Sequence, residues 1–174
     1  MLERLRAFFA VRGVLEVETP LLSAAATPDL HLQSFSCRYT GPDPRTFYLH
    51  TSPEFAMKRL LAAGSGSIYQ LGKVFRDGEA GRLHNPEFTM LEWYRVGIDH
   101  HQLMDEVVAL VTAALEWRLT LGVPEKLSYQ EAFERHCGID PHTADTGTLL
   151  AAVEARGVHA GGDLAHENPD VLRD

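Results

Sequence analysis

The sequence predicts an α+β fold. Runs of strands are followed by runs of helices, the order expected when helices are segregated from an antiparallel sheet. At 174 residues, 45% hydrophobic and 23% charged, the chain has the composition of a globular domain able to bury a core, which excludes disorder, collagen-like repeats and coiled coils. It contains no internal repeat and no low-complexity tract.

Leu2, Leu5, Phe8 and Phe9 recur at near-helical spacing with charges between them, and Gly13 supplies a stop, so the chain opens with an amphipathic helix. Residues 14–19 then alternate apolar and polar until Pro20 interrupts the ladder, the pattern of a short edge strand. Residues 24–28 read as a loop. Strands are expected over 30–39 and 47–50, joined as a hairpin through Gly41, Pro42, Asp43 and Pro44. A helix start follows, with Ser52 as cap, Pro53 at the first helical position and Glu54 at the positive end of the dipole. Met57, Leu60 and Leu61 form its buried stripe, and Gly64 or Gly66 ends it.

Residues 68–75 and 88–96 read as two longer antiparallel strands with a polar loop over 76–86 between them. From 102 to 119 the apolar positions Leu103, Val107, Leu110, Val111, Ala114 and Leu115 recur at threes and fours, which predicts a long helix. Two shorter helices are expected over 128–137 and 148–156. Ser128 caps the first, with Glu131 three residues on, the pattern of a capping box.

The net charge of −8 is unevenly spread. Residues 44–97 carry 7 basic and 5 acidic groups, whereas residues 98–174 carry 5 and 14. The acidic total argues against non-specific nucleic-acid binding, but the net basic middle with its arginines suits one small polyphosphate. Cys37 and Cys137 stand far apart without metal-type spacing, so neither a disulfide framework nor a structural zinc site is expected. The N-terminal residues mix Glu3, Arg4, Arg6 and Arg12 into apolar sequence, and no apolar run is long enough to span a bilayer. A cytoplasmic protein without membrane association is the expectation.

Polar residues are densest between Phe75 and Arg95, where eleven of twenty-one side chains are Arg, Asp, Glu, His, Asn, Thr or Tyr. Strand alternation puts Phe88, Met90, Glu92 and Tyr94 on one face. Arg76, at a strand end, can present a guanidinium fork to a phosphate while Phe88 offers a ring to a base, a pairing suited to a nucleotide. The bland alternative is a solvated loop in which Arg76, Asp77, Glu79 and Arg82 form scattered ion pairs, with His84 a hydrogen-bonded loop histidine. Glu54, Glu92 and Tyr94 can surround an ammonium group, although a carboxylate at a helix start also serves simply as a cap. His100 and His101 lack metal-site spacing and read as a helix start and its surface.

Phe75-Arg76 followed by His84-Asn85-Pro86-Glu87-Phe88-Thr89-Met90-Leu91-Glu92-Trp93-Tyr94 resembles motif 2 of the class II aminoacyl-tRNA synthetases, in their lysine branch. Gly13-Val14-Leu15-Glu16-Val17-Glu18-Thr19-Pro20 resembles motif 1, which builds the dimer interface in that family. Thr51-Ser52-Pro53-Glu54 with Met57-Lys58-Arg59-Leu60 is similar to the segment that contacts the amino acid, and the likeness extends over residues 1–142. Within the branch, Ser52-Pro53-Glu54 and Leu91-Glu92-Trp93-Tyr94-Arg95 are most similar to the paralogues that attach (R)-β-lysine to a lysine of elongation factor P. A start at the catalytic-domain helix, with no room for an anticodon-binding barrel, points the same way.

The resemblance implies a class II synthetase-like antiparallel sheet flanked by helices. The expected division is a catalytic core with motifs 1 and 2 over 1–127 and the start of a helical insert over 128–174. It implies ATP and Mg²⁺ as cofactors, with Arg76 on the α-phosphate as the catalytic residue. Asp77, Gly78, His84, Asn85 and Phe88 complete the ATP site, with Phe88 on adenine. Ser52, Pro53, Glu54, Glu92 and Tyr94 would bind lysine or β-lysine, and Pro20 would lie in a homodimer interface. The usual Arg-x-Glu of motif 2 is altered, since Gly78 stands where the acid is expected and Glu79 follows it. Motif 3 and the metal-binding acid do not occur, so the sheet is expected to be incomplete, the chain an N-terminal portion, and its activity alone weak or nil. The alternatives are a lysyl-tRNA synthetase portion acting on tRNA-Lys, and a non-catalytic dimerisation or regulatory module.

Overall fold

The computed structural model describes residues 1–115 and 118–157. In chain order the elements are α1 (Leu2–Ala10), β1 (Leu15–Glu16), β2 (Leu22–Ser23), β3 (Ser36–Tyr39), β4 (Arg45–Leu49), α2 (Glu54–Ala62), β5 (Ile68–Phe75), β6 (Glu87–Tyr94), α3 (His100–Leu115), α4 (Tyr129–Cys137) and α5 (Thr146–Ala155). They fall into two compact units, Met1–Leu121 and a second that begins at Gly122.

In the first unit β5 and β6 pair antiparallel along their full length, from Ile68 opposite Tyr94 to Phe75 opposite Glu87. Because side chains alternate across a strand, this register sorts the pair into two faces. Tyr69, Leu71, Leu91 and Trp93 turn to the core formed with Leu5, Phe8 and Phe9 of α1 and Leu110 of α3. Phe9 is fully buried there, stacked on Tyr69 with centroids 4.3 Å apart and tilted against Trp93 at 5.8 Å. The opposite face carries Gln70, Gly72 and Val74 directly across from Glu92, Met90 and Phe88. That second face mixes the polar Gln70, Glu92 and Tyr94 with the buried apolar Ile68 and Val74.

After α1 the chain reverses through Gly13, whose φ of +67° lies in the left-handed region that glycine enters without a Cβ clash. It then places β1 parallel to β5 at the sheet edge, in the order β1-β5-β6. A second sheet, β2-β4-β3, is antiparallel throughout. His50, just after β4, joins the two: its carbonyl accepts from Phe75 N at 3.1 Å and its Nε2 donates to Lys73 O at 2.8 Å. In the second unit α4 starts on a complete capping box, with Ser128 Oγ accepting from Glu131 N and Glu131 accepting from Ser128 N, and ends on Gly138 in the left-handed region. Asp145 caps α5 by accepting from Thr148 N at 2.7 Å.

The α+β expectation holds, and several boundaries change. Strand pairing in 30–39 is confined to Ser36–Tyr39, apart from a single antiparallel bridge between Gln33 and Asp77. Upstream, Asp29 accepts from His31 N and Ser34 Oγ accepts from Thr27 N, local bonds that turn the backbone away from a ladder. Pro53 is the cap residue rather than the first helical residue, and Ser52 precedes it. The edge strand in 14–19 shortens to Leu15–Glu16, although Val17 N still donates to Tyr69 O at 2.8 Å. The helix expected over 102–119 is described as His100–Leu115, and part of the remainder lies outside the described residues. Neither the parallel pairing of β1 with β5 nor strand β2 was foreseen from periodicity, because both rest on two-residue contacts.

Candidate active site

Arg76 follows the last residue of β5, and its N–H donates to Pro86 O at 2.9 Å, which prolongs the hairpin by one bond. That bond aims the side chain across the returning strand. The guanidinium carbon lies 5.2 Å from the centre of the Phe88 ring, within cation–π range, and Nη1 lies 3.7 Å from Glu79 Oε1. Arg76 Nε is buried and has no hydrogen-bond partner among the described residues. A guanidinium beside an aromatic face, with terminal N–H groups to donate, has the chemistry to meet a nucleotide phosphate. Glu79, displaced by one position from the usual motif, is the carboxylate that reaches the arginine.

The loop beyond Arg76 is shaped by its backbone. Asp77 N donates to Gln33 O at 2.8 Å, and Asp77 Oδ1 accepts from Gly78 N at 2.9 Å. Gly78 has φ of +78°, a turn conformation in which a side chain would be strained. His84 and Gly81 exchange two backbone bonds, of 3.1 and 3.3 Å, and His84 and Asn85 are exposed. So Arg76 and Phe88 are brought together, whereas His84 and Asn85 stand on the loop surface.

A second cluster lies further along the same face of β6. Ser52 Oγ donates to Glu92 Oε2 at 2.7 Å and accepts from Glu54 N at 3.0 Å. Tyr94 Oη donates to Glu92 Oε1, also at 2.7 Å. Burial first, then this hydrogen bond and the charges of Glu92 and Glu54, push the Tyr94 phenol far above its ordinary range, so it stays a neutral donor. Glu54 itself pairs with Lys58 one helical turn on. Ser52, Glu54, Glu92 and Tyr94 are thus one connected group at the start of α2, while buried Pro53 sets the turn into the helix.

Beside this group opens a cavity of about 700 Å³. Its walls include Ser52, Glu54 and Phe55 from the start of α2, Pro20, and the loop of Ala24 to Ala26. That loop was legible as a loop but not as a wall, since three alanines carry no chemical signal. Lys58 was detectable in principle as the i+4 partner of Glu54. Buried Gln70, whose Oε1 accepts from Thr19 N at 3.0 Å, stood out only as a polar residue inside an apolar strand. Pro20 is exposed at the rim. Among the described residues no group of three or more His, Cys, Asp or Glu side chains could hold a metal ion.

The family model described as tRNA synthetases class II (D, K and N) matches residues 1–156. The chain belongs to the class II tRNA synthetases. Two curated relatives, from Yersinia enterocolitica and Vibrio cholerae, are each 56% identical and are both called elongation factor P (R)-β-lysine ligase. The matches cover 87% of this chain and 46% of the Yersinia protein, and 98% of this chain and 51% of the Vibrio protein. A Yersinia pestis relative of the same name is 55% identical over 86% of this chain and 46% of its own length. The chain spans about half the length of the curated relatives it matches. Among the described residues, no helix is long and apolar enough to cross a membrane.

Proposed function

We propose that the chain carries the ATP- and amine-binding half of a ligase that activates lysine or (R)-β-lysine as an acyl-adenylate and transfers it to a lysine of elongation factor P. The observation that carries this reading is the Ser52–Glu92–Tyr94 hydrogen-bonded group with Glu54 beside it, on the same sheet face as Phe88 and Arg76. Two carboxylates and a neutral phenol suit the two ammonium groups of a diamino acid, and an aromatic ring under a guanidinium suits adenine and phosphate. The names of the relatives supply the acceptor.

In the chemistry, a carboxylate oxygen of the amino acid attacks the α-phosphorus of ATP and the bond to the β-phosphate bridging oxygen breaks, so pyrophosphate leaves. The acceptor amine then attacks the acyl carbon, AMP departs, and an amide forms. Glu54, Glu92 and Tyr94 hold the amines and so fix where the carboxylate points. Arg76 offsets charge developing on the α-phosphate, and Phe88, Asp77, Gly78, His84 and Asn85 bound the nucleotide. Mg²⁺ bound with ATP would offset further charge on the phosphates.

Exposed Leu15, Leu21 and Leu22 around Pro20 support the homodimer reading of motif 1, and a cytoplasmic location accords with a translation-factor acceptor. The test is titration of this chain with lysine, (R)-β-lysine and ATP, followed by transfer of labelled amino acid to elongation factor P against tRNA-Lys. Binding lost in Glu92→Gln and Arg76→Ala, with label on the protein acceptor in a ligase of full family length, is expected. Label on tRNA alone would favour a synthetase, and unchanged binding in both variants would overturn the site.

A further inference from the structure

Glu92 and Glu54 differ in how their charges are met. Both Glu92 oxygens accept from neutral hydroxyls, those of Ser52 and Tyr94, whereas the Glu54 carboxylate is met by a cation, the Lys58 ammonium. Glu54 is the N-terminal partner of an i,i+4 pair on α2, the favourable orientation, and both side chains are about half exposed. With one oxygen of this cavity-lining carboxylate held by an ammonium, a second ammonium meets a partly neutralised charge and competes for the paired oxygen.

We infer that Lys58 is a resident competitor for the amine site: its ammonium occupies Glu54 in the empty protein and is displaced when a substrate ammonium binds. This rests on the reading of Glu54 as an amine ligand. Lys58 acts through Glu54 and is a positioning residue. It holds Glu54 in one rotamer beside the cavity and sets an affinity threshold, because an incoming amine has to exceed the resident ion pair and tolerate a displaced like charge nearby. A pair that is only a helix-surface contact would affect helix stability and nothing else.

The experiment is lysine titration of the chain by calorimetry, with Lys58→Met, Lys58→Arg, Glu54→Gln and the Glu54→Gln/Lys58→Met double variant, at low and high salt. Removing one like charge and one competing partner at a half-exposed site predicts a roughly threefold to tenfold tighter Kd for Lys58→Met at low salt. The gain should shrink at high salt and vanish in the Glu54→Gln background, and Lys58→Arg should keep wild-type affinity. Unchanged or weaker binding by folded Lys58→Met, with the wild-type chain binding lysine, overturns the role of Lys58 alone. Absence of lysine binding by the folded wild-type chain overturns the amine-site reading, and this inference with it.

Discussion

The hydroxyl of Ser52 donates to Glu92 Oε2 at 2.7 Å while accepting from the backbone N–H of Glu54 at 3.0 Å. One oxygen thereby ties the start of α2 to the middle of β6. Its proton goes to Glu92, so Ser52 holds that carboxylate in place. Ser52→Ala leaves Glu92 short of a donor and lets it turn, a loss of about 1–3 kcal/mol for a hydrogen bond to a partly buried charge. Lysine affinity should fall about tenfold while ATP affinity holds, and Ser52→Thr should restore most of it. Calorimetric titration with each ligand checks the split.

Arg76 and Phe88 should matter in the reverse sense. If the Arg76 Nη atoms meet phosphate, Arg76→Ala removes charge-assisted bonds of about 1.5–3 kcal/mol, a loss of roughly tenfold to a hundredfold in ATP affinity. Arg76→Lys keeps the charge but not the planar fork and should recover only part of it. Phe88→Leu should weaken ATP binding and leave lysine binding unchanged. Titration with ATP settles the matter, and wild-type affinity in Arg76→Ala would remove Arg76 from the site.

Legibility followed the strength of the local signal. The β5–β6 hairpin could be read because two strand-like runs flank a polar, glycine-containing loop, and strand geometry put Phe88, Glu92 and Tyr94 on one face. The expected pairing of Arg76 with Phe88 emerges at 5.2 Å. What could not be read depends on long-range contacts. Glu92 meets Ser52 across 40 positions, and Thr19 meets Gln70 across 51, and no periodicity encodes either. Two-residue strands such as β2 have no pattern to detect, and the segment before β3 fails as a strand because Asp29 and Ser34 bond the backbone locally.

Phe9 is the residue on which the core of the first unit should depend most. It is 0% exposed and touches the rings of Phe8, Tyr69 and Trp93, so it joins α1 to the sheet face opposite the site. Phe9→Ala removes a buried aromatic side chain and leaves a cavity, with an expected loss of about 3–5 kcal/mol. Urea unfolding followed by tryptophan fluorescence should show the midpoint fall. Phe9→Leu should lose much less.

In the second unit the capping box at α4 makes a separate prediction. Ser128→Ala removes the acceptor for Glu131 N and should weaken the helix by about 1 kcal/mol. The backbone N–H of Ser128 holds the Glu131 carboxyl below its usual value of 4.5. A depressed carboxyl contributes stability above the unfolded value and loses it as pH falls through the folded one. Protection of the α4 amides relative to their intrinsic exchange rates should therefore fall below about pH 4.5, and less so in Glu131→Gln, which lacks the titrating group.

Tyr69 gives the alkaline counterpart. Its phenol donates to Glu16 Oε2 at 2.8 Å, and Arg6 Nε bonds the same carboxylate from α1. Burial first, then the Glu16 hydrogen bond and charge, raise the phenol from 10.0 to about 12. Here the folded value lies above the unfolded one, so the contribution is fully present below about pH 10 and is lost as pH rises through about 12. The stability difference between the wild-type chain and Tyr69→Phe should be constant up to about pH 10 and then narrow steadily towards pH 12. Tyr94 titrates in the same direction in both proteins, so it cancels in the difference. Urea unfolding across this range measures it, and a difference that stays flat to pH 12 would show that the Tyr69 phenol is not held by Glu16.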